Sequence, residues 1–152
     1  MAFRARFIPR NPLKYVGDLE KIFARSSWEL QVMKFFDSRS DVIRWGSEEI
    51  IVPYLSPSDN AVHRYFPDFF VEYIDKNGNT IKEIVEVKPL HESDARFAKS
   101  DRSKDALLVN DAKWKAAHLY CESRGMIFRV ITEKSIFHQG VKAPKKKKVN
   151  DA

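Results

Sequence analysis

Apolar residues recur along this chain at two spacings, and the places where the spacing changes divide it into elements. Trp28, Val32, Met33, Phe35 and Phe36 fall at helical intervals and predict an amphipathic helix ending near Ser38. Ser26 with Glu29 three residues on is a capping box, in which the hydroxyl takes a free N–H of the first turn and the carboxylate reaches back. After a turn at 37–41, Val42-Ile43-Arg44-Trp45 reads as a short strand with Gly46 as a break, and Glu49 to Leu55 as another strand. Ser56-Pro57-Ser58-Asp59-Asn60 is a turn. Val62 to Ile74 then reads as one long central strand, apolar on both faces as expected where helices cover both sides of a sheet. Asp75-Lys76-Asn77-Gly78-Asn79 is a hairpin signal, and the returning strand runs to Lys88, where Pro89 stops it.

The second half repeats the alternation. Asn110 caps a predicted helix that continues to Arg124 and stops at Gly125, with Trp114, Ala117, Tyr120 and Cys121 as its buried stripe. Met126 to Ile131 follows as a strand buried between the helices, and Thr132 to Phe137 as a short terminal helix. Helix, about three strands, helix, strand predicts an α/β sandwich around a central mixed sheet.

Composition narrows the partner more than the fold. The chain has 152 residues, long enough for one well-buried domain, and 43% of them are hydrophobic, as in a globular protein. A formal charge of +6 favours an anionic partner, and nucleic acid is the commonest for a basic domain. The single Cys121 excludes an internal disulfide, which agrees with synthesis in a reducing compartment, and no Cys/His cluster offers a zinc site. No apolar run approaches the ~20 residues of a membrane helix, and there is no signal-peptide pattern.

The charge is concentrated at the ends, which sets the expected organisation: a basic arm over residues 1–18, a folded domain over 19–138 and a disordered lysine-rich tail over 139–152. In the arm, Arg4, Arg6, Arg10 and Lys14 lie among Phe3, Phe7, Pro9 and Pro12, which suits either a strap with its charges in water or a phosphate contact. Lys145 to Lys148 would attract phosphates with an affinity that salt weakens.

Chemistry collects in the central hairpin. Glu86 and Lys88 are two apart on a strand and share a face, and the hairpin allows Asp68 to meet them. Two acidic oxygens for a hard divalent cation and a lysine for a water suit phosphodiester hydrolysis. A Glu-x-Lys pair is more often a solvent-facing ion pair of little energy. Here Asp68 lies in an aromatic run where an unpaired carboxylate is costly to bury, and Pro67 marks a bulge or edge that re-aims a side chain. Glu29 reads from the residues alone as the carboxylate of its capping box. His63 reads as a packing or surface residue, and Arg64 as a phosphate contact. His91 to Asp105 is a charged loop whose Arg96, Lys99 and Arg102 meet either water or substrate. Lys113 and Lys115 lie off the helical stripe, where a DNA backbone or solvent can reach them; Trp45 and Phe97 are of a type that stacks on bases.

Pro67-Asp68 followed by Glu86-x-Lys88 resembles the PD-(D/E)xK signature of the restriction-endonuclease-like nucleases. Together with Trp28-Glu29, Arg44-Trp45, the run from His63 to Phe69, Lys113-Trp114 and Thr132-Glu133, the chain is similar to the TnsA-like endonucleases over residues 4 to 137, and more closely to the head-completion nucleases of T-even-like tailed phages. The resemblance implies a restriction-endonuclease-like α-β-β-β-α-β core. It also implies that Asp68, Glu86 and the Val87 carbonyl hold Mg2+, with Mn2+ as a substitute, that Lys88 orients or activates the attacking water, and that Glu29 supports a metal or its water. Double-stranded DNA would be the substrate, phage portal or neck proteins the partners, and the bacterial cytoplasm during assembly, then the virion, the location. A non-catalytic virion protein gripping the packaged DNA end is the other reading, as is a transposase-like or junction-resolving subunit that needs a partner or branched DNA. Asp68, Glu86 and Lys88 present together argue against a degenerate site.

Overall fold

The computed structural model of the chain describes residues 3–88 and 101–132. Its centre is a four-stranded mixed sheet of β3 (Val42–Ser47), β6 (Phe69–Ile74), β7 (Thr80–Val87) and β8 (Ile127–Ile131), in that spatial order. β6 is antiparallel to both neighbours, whereas β8 runs parallel to β7, so the return to β8 needs a crossover, which contains α2 (Asp101–Glu122). α1 (Ser27–Ser38) covers one face, burying Val32, Met33 and Phe36 against Trp45, Phe69, Val71 and Val85. α2 and a separate ribbon of β4 (Val52–Leu55) and β5 (Val62–Tyr65) cover the other, around Ala117, Val52, Tyr54 and Tyr65. The expected sandwich around a mixed sheet is the architecture found.

Four expectations change in detail. The long strand from Val62 to Ile74 is two strands in different sheets: β5 pairs with β4, and β6 joins the central sheet. Pro67 lies in the break, where its missing N–H and fixed φ favour leaving one ladder before entering the next. Gly46 does not end β3, which continues to Ser47; a Cβ there would lie 3.0 Å from the Val16 carbonyl, a tight approach, where the N-terminal segment is pinned by Val16 N–H to the Trp45 carbonyl. The second helix begins at Asp101, so Asn110 is internal rather than a cap, and Arg102 belongs to this helix instead of a loop. Lys104 to Val109 are mostly good helix formers, which packing extends backwards past Asn110. β8 lies at the edge of the described sheet, with Ile127 52% exposed, rather than fully buried between helices.

Residues 3–18 lie against the domain. β1 (Ala5–Arg6) pairs with β2 (Phe23–Ala24), and Phe7 and Tyr15 enter the core beside Trp45. Buried Asp37, near the end of α1, accepts the Arg10 and Asn11 N–H groups at 2.9 and 3.1 Å. Lys14 Nζ donates to the Asp37 and Arg39 carbonyls, meeting the negative end of the helix dipole. The predicted terminal helix after Thr132, the lysine tail, Arg96, Phe97 and Lys99 lie outside the described residues.

Candidate active site

The hairpin fixes the register that brings the acids together. Gly78 adopts φ 82° in the turn, and Phe69 pairs with Val85, so the residue before Phe69 meets the one after Val85. Asp68 and Glu86 hold each other reciprocally: the Val87 N–H donates to Asp68 Oδ2 at 2.7 Å, and the Asp68 N–H donates to Glu86 Oε1 at 3.2 Å. Lys88 Nζ lies 3.8 Å from Glu86 Oε2, and its backbone N–H is held by the Ile131 carbonyl of β8. Lys88 is therefore positioned by the parallel strand, and the pair by the antiparallel one.

Glu29 stands at the opening of α1. Its N–H is capped by Ser26 Oγ at 3.1 Å, as the sequence predicts, while its carboxylate accepts from the Arg25 N–H and the Ser26 hydroxyl at 3.4 Å each. Those long contacts leave it free to face other charges. Burial first, then the Glu48 and Glu86 carboxylates, raises its pKa. Asp68 is raised well above the usual carboxylate range, by burial and by the Glu86 and Glu29 charges. Glu86 is raised by burial, with Lys88 and the Tyr65 hydroxyl opposing the shift. Like charges in a partly desolvated site favour a cation between them. Among the described residues no three acidic, histidine or cysteine side chains converge as a ready-made cage. Two carboxylates with the rest of the sphere left to carbonyl, water and phosphate is the habit of Mg2+ rather than of a dedicated Ca2+ cage, so the residues fit that ion.

A cavity of about 520 Å³ opens over the pair, with Arg25, Glu48, Arg64, Tyr65, Phe66, Lys88 and Lys113 in its walls. Lys113 Nζ sits 5.6 Å above the Tyr65 ring and 5.8 Å above that of Tyr54, so the ribbon's aromatic side chains carry the helix's cation to the cavity. Arg64 lies over Phe66. Lys115 does not line this cavity and pairs with Asp111 at 2.9 Å, His63 is exposed and paired with Asp59, and Trp45 is wholly buried, out of reach of any base. A smaller cleft of about 270 Å³ between α1 and the sheet is walled mainly by apolar side chains and lacks these acids.

Three residues of the cavity escape sequence reasoning. Glu48 has a left-handed backbone (φ 55°) just past β3, donates its N–H to the Asp68 carbonyl at 3.0 Å and pairs with Arg25 at 3.1 Å. No periodicity marks either residue. Tyr65 sat inside the signature run and could have been found by asking what a buried hydroxyl two residues before Pro67 faces; burial and the Glu86 carboxylate push its pKa up.

Carboxylates clasped across two strands stand beside a lysine, on a mixed sheet between helices. The profile of the TnsA-like endonuclease N-terminal domain matches residues 39–133, and the chain belongs to this endonuclease family. The match contains Asp68, Glu86 and Lys88 and starts beyond Glu29. Over a longer span the chain is similar to the head completion nuclease of Enterobacteria phage T4, at 35% identity over 150 residues, covering 93% of this chain and 99% of that protein. No helix among the described residues is long and apolar enough to cross a membrane.

Proposed function

We propose that this chain is a Mg2+-dependent endodeoxyribonuclease that trims or processes packaged DNA ends while phage heads are completed, in the bacterial cytoplasm and then on the virion, next to portal or neck proteins. The observation that carries the reading is the reciprocal Asp68–Glu86 clasp with Lys88 Nζ 3.8 Å from Glu86, under a cavity rimmed by cations. The T4 relative's name supports the setting.

Asp68, Glu86 and the Val87 carbonyl would hold the ion, Mg2+ or Mn2+, with Glu29 supporting it or its water. When bound, it polarises the scissile phosphate and offsets charge on the leaving oxygen. Lys88 orients the attacking water and takes part in its activation. Arg64 and Lys113 hold phosphate oxygens in place, a positioning role that reads no sequence. Lys115, Arg96, Lys99 and Arg102 are the other residues proposed to contact the backbone of double-stranded DNA.

Lys88→Ala is expected to slow cleavage of a labelled duplex by roughly 10²–10⁴-fold, the range for losing a positioned proton-transfer group. Binding to the same duplex in calcium should persist, because Lys88 is not a core residue. Unimpaired cleavage would remove the lysine from the mechanism.

A further inference from the structure

A second cavity, of about 710 Å³, adjoins the catalytic one, and Arg25 and Glu48 stand in the walls of both. Phe3, Arg4, Lys21 and Phe23 complete its lining. The cations of this segment differ in their partners. Arg6, two residues from Arg4, is neutralised by Glu20 at 2.6 Å. Arg4 has no acidic partner among the described residues; its guanidinium instead lies 4.1 Å from the centre of the Phe23 ring, which holds the cation at the wall without cancelling its charge. Lys21 has only a 3.9 Å contact with Asp18, both side chains well exposed, an ion pair of little strength. Glu48, the one acid among the described residues that line this cavity, is already occupied by Arg25.

A path in which Arg4 and Lys21 keep their charge, opening at the Glu48-paired Arg25 into a cleavage site, suits a polyanion that continues beyond the bond being cut. We propose that Arg4, Lys21 and Arg25 form a phosphate track that carries the DNA backbone from the catalytic cavity onto the β1–β2 ribbon, with Glu48 holding Arg25 at the junction. This rests on the nuclease reading and adds to it where the strand runs. The arm is then both strap and grip: Phe7 and Tyr15 fasten it to the core, and Arg4 meets the substrate. Contacts of this kind fix register on the duplex without reading bases.

The test is the salt dependence of duplex binding by the full chain in chelator, followed by fluorescence anisotropy. Each neutralised phosphate contributes about −0.9 to the slope of log K against log salt. Arg4→Gln with Lys21→Gln should therefore make the slope shallower by about two, whereas Arg6→Gln, already paired with Glu20 and outside the lining of the cavity, should leave it as in wild type. Thermal melts confirm that the variants fold. An unchanged slope for the Arg4/Lys21 variant overturns the track. If Arg64→Gln with Lys113→Gln weakens binding in that case, only the track falls; if neither pair matters, the DNA reading of both cavities falls with it.

Discussion

Asp68→Asn is expected to abolish cleavage while making the metal-free protein more stable. The amide oxygen of Asn can still accept the Val87 N–H that Asp68 Oδ2 takes at 2.7 Å, so the hairpin register should survive. What is lost is the charge that would hold the ion, and cleavage should fall by at least about 10³-fold, the scale of removing a group that offsets developing charge. The stability gain follows from burial and the Glu86 and Glu29 charges, which raise the Asp68 pKa in the folded chain. A carboxyl with a raised folded pKa adds stability that is complete below its unfolded value, near 4, and is lost as pH rises through the folded one; above that, the ionised group is a burden. Thermal melts in chelator should therefore show the variant ahead at pH 8 and its lead shrinking toward pH 4. Excess magnesium should raise the wild-type midpoint, since a ligand of the folded state stabilises it, and leave the variant nearly unmoved. A variant less stable than wild type at pH 8 would contradict the picture of crowded, unneutralised acids.

Trp45→Ala should cost about 3–5 kcal/mol of folding stability, the usual loss for emptying a large aromatic site. Trp45 is 0% exposed, and its ring centre lies 4.8 to 6.5 Å from those of Tyr15, Phe7, Phe36 and Phe69. It thus joins the N-terminal segment, α1 and β6, and Phe69 is the residue next to Asp68. Trp45→Phe should cost much less, because it keeps an aromatic ring and removes an indole N–H that has no hydrogen-bond partner among the described residues. Urea denaturation gives both values; a loss below about 1 kcal/mol for the alanine variant would mean that this cluster does not hold the strap.

The core of the site was legible because the information is local. A five-residue turn with Gly78 sets the hairpin, and counting outward from it brings Asp68 to Glu86, while period two puts Lys88 on the Glu86 face. Glu29 was legible as two competing roles, and the structure shows both sets of neighbours: Ser26 and Arg25 on one side, Glu48 and Glu86 on the other. Other features depend on contacts that a single strand pattern does not carry. Val62 to Ile74 reads as one strand because β5 buries Tyr65 in one cluster and β6 buries Phe69 and Val71 in the other, so the pattern conceals a change of sheet. Gly46 looks like punctuation but lies inside β3, where the Val16 carbonyl approaches closely. Arg25 and Glu48 reach the cavity through a cap and a left-handed residue, and Lys113 through two tyrosine rings of the ribbon.

The central claim is that this clasp makes a metal-dependent DNA-cutting site. It is tested most directly by incubating supercoiled plasmid with the purified full chain in magnesium and in excess chelator, beside folded Asp68→Asn protein. The expected result is conversion to nicked or linear DNA in magnesium alone, absent with chelator and absent with the variant. Cutting that persists in chelator, or that Asp68→Asn performs as well as wild type, would contradict the assignment of this site.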